Sequence, residues 1–201
     1  GDFFSFYPHN DSIYFIIADV AGKGIHAGMV MAKASTLFEV LSQSKVDPDE
    51  MVFHMNNDLN NTKTGGMFVT SIVGEYNLIS DELRWVNAGH QPAIIRDNLG
   101  KYSQFESLAP PLGVIKHKDK NIYNVNKIKL NGSRFYAFTD GLSESFNEEG
   151  SEIGIEGSIK IIEENYSKDS NKQLDNITKS VINTTNNKKL TDDLTVISIG
   201  K

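Results

Sequence analysis

The sequence contains no cysteine. Disulfide bonds, zinc sites built from thiolates and cysteine nucleophiles are therefore excluded, and the composition fits a cytoplasmic protein. No hydrophobic run approaches the roughly 18 to 20 residues that a membrane-spanning helix requires. The most apolar stretch, 13–20, is short and carries an aspartate near its end. We therefore expect no membrane contact by this chain.

A basic surface of the kind that binds nucleic acid is also missing. The formal net charge is −6, and no stripe of lysine or arginine follows any predicted element. The densest basic run, 116–120, reads Lys-His-Lys-Asp-Lys. Charge runs of this length are usually solvated loops, so we expect no nucleic-acid partner.

What is present is the composition of one soluble globular domain. The 201 residues are 39% hydrophobic and 23% charged, which is ordinary for such a domain and enough for a substantial core. No internal repeat and no linker rich in glycine, proline or serine divides the chain. The sequence predicts a single domain over residues 1–201.

The order of predicted elements indicates an α+β fold. A hairpin of strands over 3–7 and 12–18 comes first. Helices follow over 25–44, with an apolar face, and over 48–60, with Asp47 as its cap. The remaining predictions are strands over 67–77, 82–87, 92–96, 121–130 and 134–139, helices over 154–166 and 172–183, and a strand over 194–199. Blocks of strands predict antiparallel sheets covered by helices rather than alternating βαβ units.

Several aspartates stand at the ends of unusually apolar strands. They are Asp2, Asp19, Asp140 and the pair Asp192-Asp193. Each could simply end its strand as a turn former, but a carboxylate at the end of an apolar strand is costly unless its charge is compensated. If the strands are neighbours, the carboxylates converge and would need hard cations such as Mg²⁺ or Mn²⁺.

At these positions the sequence resembles the type 2C metal-dependent protein phosphatases of the PPM class, and more narrowly their bacterial, SpoIIE-like branch. The matching segments cover nearly the whole chain in the order of the family. They are Gly1–Phe4, Asp19–Ala27, Met67–Thr70, Asn87–Pro92, Pro111–Gly113, Thr139–Glu144 and Asp192–Val196. One departure is Lys23, where many relatives have histidine, although lysine is also common there in the regulatory branch.

The resemblance implies two antiparallel sheets packed as a sandwich and flanked by helices, with two Mn²⁺ or Mg²⁺ ions at one edge. It implies that Asp19 bridges the ions and that the carbonyl of Val20 is a further ligand. Asp2, Asp140 and Asp192 would supply the other carboxylates, and Asp193 would either bind a third ion or support the ligands. Asp19 and Asp140 are the residues on which catalysis would depend.

The same resemblance implies a protein serine/threonine phosphatase that uses a water bridging the metals as its nucleophile. Its substrate would be a phosphorylated regulatory protein, typically an anti-sigma factor antagonist. Regulation by an attached sensor domain outside this chain is implied, as is a homodimer through the helices of 25–60. The stripe of Val30, Leu37, Phe38 and Leu41 fits either a dimer surface or, as for most amphipathic helices, packing on the chain's own core.

Other polar residues have weaker predictions. His90 and His26 could protonate the leaving oxygen, although lone histidines more often have a structural role. Thr139, Asn87 and Thr195 are predicted to orient ligands. Lys23 and Arg96 could attract an anionic substrate, although exposed basic residues are usually just solvated.

Two other functions fit parts of the pattern. The first is a phosphatase-fold binding module with weak or no turnover, against which the intact aspartates count. The second is another two-metal phosphohydrolase, such as a phosphodiesterase. Those enzymes commonly use histidine-rich sites, and no histidine pair in this sequence has ligand spacing.

Overall fold

The structure is a computed structural model, and it describes residues 1–62, 65–147, 150–184 and 192–200. The chain divides into two compact units. The first comprises Gly1–His90 and Phe105–Asn131, and the second comprises Gln91–Gln104 and Gly132–Lys201. Over the described ranges, no helix has the length and apolar character needed to cross a membrane. The single domain over 1–201 stays a prediction.

Nine strands and five helices make up the described secondary structure. The strands are β1 (Asp2–His9), β2 (Ser12–Val20), β3 (Val69–Asn77), β4 (Glu82–Ala88), β5 (Ala93–Arg96), β6 (Tyr102–Phe105), β7 (Asn126–Lys129), β8 (Arg134–Phe138) and β9 (Val196–Ile199). The helices are α1 (Ile25–Gln43), α2 (Pro48–Asn60), α3 (Asp140–Ser143), α4 (Gly154–Glu164) and α5 (Ser170–Thr184).

The first unit is a sheet in the order β1-β2-β3-β4-β7, with each neighbouring pair antiparallel. One face of this sheet packs against α1 and α2 around a core that includes Ile16, Val30 and Phe38. Leu37 and Leu41 pack against the same core. The apolar stripe of the first helix therefore covers its own sheet, which is the role that amphipathic helices usually have.

The second unit is a sheet in the order β6-β5-β8-β9. Its apolar cluster joins Tyr136 and Phe138 of β8 to residues of α4 and α5, among them Ile162 and Ile177. The buried guanidinium of Arg134 donates hydrogen bonds to the carbonyl oxygens of Ser167 and Lys168 and to Oε1 of Gln173. These bonds satisfy a charged group that would otherwise be costly to bury.

Some local predictions were wrong. Only Asn126–Lys129 of the strand predicted over 121–130 is extended, and a 3-10 turn occupies Lys120–Ile122, because Ile122 and Tyr123 pack on the core from irregular backbone. Strand β6 and the one-turn helix α3 were not predicted. Asp47 is the N-cap residue of α2, as predicted, but its side chain makes no capping hydrogen bond and instead pairs with Nη1 of Arg84 at 3.0 Å.

Candidate metal centre

Asp2 and Asp19 are brought together by the first hairpin. The antiparallel register of β1 and β2 places the two residues directly opposite each other. Residues in such positions have Cα atoms about 4.5 to 5.5 Å apart, and like charges there destabilise a sheet. Two opposed carboxylates are thus a donor pair that a cation would stabilise, and they fit a hard divalent ion.

The carbonyl of Val20 is directed to the same place as the carboxylate of Asp19. The backbone nitrogen of Gly1 donates a hydrogen bond to the Val20 oxygen at 3.1 Å and lies 3.4 Å from Oδ1 of Asp19. One nitrogen atom is therefore close to both of the oxygen atoms that the sequence predicts as metal ligands. These two oxygens are oriented so that one cation can reach both.

Thr70 of the neighbouring strand and His90 of the turn after β4 support Asp19. Thr70 is the cross-strand partner of Asp19 in β3, and its hydroxyl donates a long hydrogen bond, 3.5 Å, to the Asp19 backbone oxygen. Nδ1 of His90 lies 2.9 Å from the same hydroxyl. The imidazole is buried, which agrees with a structural role. Thr70 lies in the Met67–Thr70 motif, but nothing in the sequence shows that it joins a histidine to Asp19.

Asn87 shapes the turn that carries His90. Its side-chain oxygen accepts a hydrogen bond from the backbone N–H of His90 at 2.8 Å. Gly89 has φ of 70°, and a Cβ at this position would lie 2.6 Å from Cδ of Pro111. Only glycine fits both the left-handed backbone and the close approach of the proline. The bond from His90 to Asn87 and the glycine at 89 together fix the turn that orients the buried histidine.

In the second unit, Asp140 is next to the segment that carries Asp192 and Asp193. Asp140 is the first residue of α3 and lies two residues after the last residue of β8. A Cβ on the following residue, Gly141, would overlap the carbonyl of Asp193, whose carbon would be only 2.8 Å away. The side chains of Asp192 and Asp193 are exposed, and Oδ1 of Asp192 accepts a hydrogen bond from the Asp193 N–H.

Two threonines connect these segments. The N–H of Thr139 donates to the carbonyl oxygen of Thr195 at 3.1 Å, and the N–H of Thr195 donates to Oγ1 of Thr139 at 3.0 Å. Thr139 is fully buried. Both residues therefore fix the backbone immediately beside predicted metal ligands.

The basic residues and the second histidine are placed differently. Arg96 pairs in register with Arg134 at the start of β8, whereas Asp140 follows the end of that strand. The guanidinium of Arg96 stacks on the ring of Tyr166 at 3.7 Å from the centroid, so Arg96 contributes to packing there. His26 and Lys23 are exposed around the start of α1.

The full ligand set stays a prediction. Among residues 1–62, 65–147, 150–184 and 192–200, no three histidine, aspartate or glutamate side chains are gathered closely enough to hold a metal ion. What the structure shows is two partial arrangements, Asp2 with Asp19 and Val20 in one unit, and Asp140 beside Asp193 in the other.

Solved structures with the same fold include phosphatase domains of the PP2C type. The SiaA-PP2C domain of Pseudomonas aeruginosa superposes with a TM-score of 0.84 over 98% of this chain and 79% of that chain, at 14% identity. The PP2C phosphatase domain of SpoIIE from Bacillus subtilis, solved with a fragment of its regulatory domain, gives 0.82 over 98% of this chain and 57% of that one, at 19% identity. These likenesses confirm the predicted fold class, α+β with two antiparallel sheets and helices.

The chain belongs to the family described as Stage II sporulation protein E (SpoIIE), whose pattern matches residues 9–200. The phosphoserine phosphatase RsbU of Bacillus subtilis (strain 168) is 26% identical over 200 residues, which are 98% of this chain and 58% of RsbU. The chain spans between 35% and 58% of the length of the curated relatives it matches.

Proposed function

We propose that this chain is a metal-dependent protein serine/threonine phosphatase that hydrolyses phosphoserine or phosphothreonine on a regulatory protein, of the anti-sigma factor antagonist type. The observation that carries the proposal is the hairpin that sets Asp2 opposite Asp19, with oxygen atoms of Asp19 and Val20 both close to the backbone nitrogen of Gly1 and so to one point. Membership of the SpoIIE family supports it, as does the likeness to relatives named phosphoserine phosphatases.

The proposed ligands of two Mn²⁺ or Mg²⁺ ions are the oxygen donors Asp2, Asp19, Val20, Asp140 and Asp192, with Asp193 holding a third ion or supporting the others. Carboxylate and carbonyl oxygens are the donors these hard ions prefer. When bound, the ions supply charge neutralisation for the phosphoryl group and acidify a coordinated water, which is the chemistry of two-metal hydrolysis.

The remaining residues keep the donors in place. The hydroxyl of Thr70 lies between the backbone of Asp19 and the buried ring of His90, so these two residues fix the strand at Asp19. Thr139 and Thr195 fix the backbone beside Asp140 and Asp193. Phosphoryl transfer depends mainly on positioning and charge, so a rigid donor set is what this reaction demands from the chain.

The proposal is tested by phosphate release from a phosphoserine peptide with added Mn²⁺. We expect Asp19→Asn and Asp140→Asn each to lower the rate at least about a hundredfold, because removing a ligand takes away the device that positions and activates the nucleophile. Asp175→Asn, an exposed substitution on α5, is the matched control and should stay within about twofold of the parent.

Unchanged rates in folded Asp19→Asn and Asp140→Asn variants would refute the site assignment. A parent that binds the phosphopeptide tightly without Mn²⁺-dependent turnover would indicate the binding module instead. Faster hydrolysis of a cyclic nucleotide than of the peptide would indicate a phosphodiesterase.

Self-association through the helices of 25–60, and control by an attached sensor domain, are further parts of the proposal. The outer side of α1 exposes apolar side chains, Ile25 at 83%, Met29 at 66% and Val40 at 54%. Exposed apolar groups on one helix face favour contact with a partner. Sedimentation should show a dimer that the substitution Met29→Lys weakens, and a monomer at all concentrations in the parent would remove this part.

A further inference from the structure

An exposed loop next to the candidate centre has both apolar and basic side chains. Residues 113–118 of the first unit, called the 113–118 loop below, follow the Pro110-Pro111 pair. Val114 is 49% exposed and Ile115 is 54% exposed. Lys116 and Lys118 are also exposed. Apolar side chains this open to solvent, with cations beside them, are features of a surface that contacts a partner.

The backbone of this loop is held by two consecutive asparagines of α2. Oδ1 of Asn56 accepts a hydrogen bond from Gly113 N–H at 3.0 Å, and its amide donates to the Ile115 carbonyl at 2.9 Å. Asn57 makes the same pair of bonds with the N–H and carbonyl of His117, both at 3.0 Å. Four bonds from two side chains fix the loop in one shape, so binding to it would not require ordering of the backbone.

The loop begins close to the predicted metal ligands of its own unit. The backbone of Leu112 exchanges two hydrogen bonds with Val69, at 2.8 and 2.9 Å, and Val69 pairs in register with Val20. Leu112 is therefore two strand spacings, about 10 Å, from Val20. A protein whose phosphorylated residue reached Val20 and Asp19 would have its flanking residues within range of the loop.

The charge of the loop selects the kind of partner. Within the described residues, neither Lys116 nor Lys118 forms an ion pair with a carboxylate. Lys116 donates only to the side-chain oxygen of Asn61. Lys120, just outside the loop, is paired with Asp49 and Glu50. Two uncompensated cations on a chain of net charge −6 create a local positive field that attracts acidic groups.

We propose that the 113–118 loop is a docking surface for the protein substrate, and that it recognises acidic residues flanking the phosphorylated residue. The apolar tips of Val114 and Ile115 add contact area, and Lys116 and Lys118 provide the preference for negative charge. This inference rests on the proposed function and specifies the substrate class of the same site.

The test compares two synthetic phosphoserine peptides that share leucine flanks and differ only in having aspartates or lysines around the phosphoserine. In the parent, kcat/KM should favour the acidic peptide at least about fivefold, through KM rather than kcat. Lys116→Glu with Lys118→Glu should abolish or reverse this preference while the lysine peptide is still hydrolysed. Lys172→Glu with Lys179→Glu on α5 changes the net charge equally and should keep the parent's preference.

A second measurement needs no variant. Raising NaCl from about 0.05 M to about 0.5 M should reduce the parent's preference, because salt screens exposed charges. Equal kcat/KM values for the two peptides in the parent, or a preference that survives the loop reversal, would overturn the docking surface. A parent that does not hydrolyse p-nitrophenyl phosphate with Mn²⁺ would instead overturn the proposed function, and the docking surface with it.

Discussion

Single atoms decide how closely Asp140 can approach the segment that carries Asp193. Gly141 lies against the backbone of Asp193, and its missing side chain leaves the space in which the Asp193 carbonyl sits. No other residue type would allow Asp140 and the 192–195 segment to approach so closely without a shift of backbone. The position of Asp140 relative to Asp193 therefore depends on Gly141 having a hydrogen atom where other residues have a Cβ.

Gly141→Ala should therefore lower the free energy of unfolding by about 1 to 3 kcal/mol, the usual cost of overpacking a filled site. Thermal or urea unfolding measures it. Gly28→Ala is the control, since Gly28 lies on α1 with no atom near its Cβ position and alanine there should stabilise the helix by about 0.5 to 1 kcal/mol. Equal effects of the two substitutions would contradict the close contact with Asp193.

Some site residues could be predicted from the sequence because their placement is local. Asp2 and Asp19 belong to one hairpin, and the turn at Asn10-Asp11, which pairs His9 with Ser12, sets the register that places them opposite each other. The link from His90 through Thr70 to Asp19 could not be predicted, since it joins β3 to the turn after β4 across the sheet. Motif matching identified the segments without the bonds between them.

At the scale of elements, α2 serves two parts of the first unit. One side of the helix packs on the sheet through Met51 and Met55. Asn56 and Asn57 face the 113–118 loop and replace the regular hydrogen bonding that the loop lacks. Asn56 is almost fully buried, and removal of its side chain would take away the hydrogen-bond partner of the Gly113 N–H and of the Ile115 carbonyl.

Asn56→Ala is expected to destabilise the protein by about 1 to 3 kcal/mol, because it removes two hydrogen bonds to the loop backbone together with a buried side chain. Hydrogen exchange of the Gly113 amide should accelerate more than that of amides in β2. Asn61→Ala is the control at an exposed position directly after the same helix, with an expected change below about 0.5 kcal/mol. Slow exchange at Gly113 in the Asn56 variant would show that the loop is held by other contacts.

Element boundaries were predicted well where the apolar pattern was long and less well elsewhere. The helix predicted over 48–60 is α2, Pro48–Asn60, because proline at the first position marks its start. Strand β6 was missed because Tyr102–Phe105 has only four residues, two of them polar, and none is buried. The hydrogen bonds of Asn56 and Asn57 join α2 to a loop about sixty residues away in the chain. The helical periodicity of the sequence does not predict these bonds.

For the molecule as a whole, the accumulated negative charge is the main electrostatic feature. The chain carries 26 acidic and 20 basic residues, and the predicted ligands concentrate part of the excess at strand ends. Ions that bind the folded state and not the unfolded chain add stability in proportion to the logarithm of their concentration. Metal binding should therefore be visible without any measurement of activity.

Mn²⁺ at about a hundred times its Kd should add about 2.7 kcal/mol to the unfolding free energy, which for a chain of this size raises Tm by roughly 5 to 10 °C. Differential scanning fluorimetry with and without a chelator measures the shift. Asp19→Asn should lose most of it, whereas Asp175→Asn should keep it. The same Mn²⁺ shift in both variants would indicate ions bound elsewhere.

The register of the first hairpin determines both which side chains of β1 are in the core and where Asp2 lies. Phe3 and Tyr7 lie on the side of β1 that packs under α1, and Asp2 lies on the other side with Phe4. If the register of β1 on β2 shifted by a single residue, the side chain of Asp2 would face the hydrophobic core beneath α1, and the rings of Phe3 and Tyr7 would lie on the opposite face of the sheet. The packing of Phe3 and Tyr7 therefore fixes the register that places Asp2 opposite Asp19. A shifted register would cost hydrophobic burial whether or not an ion is bound.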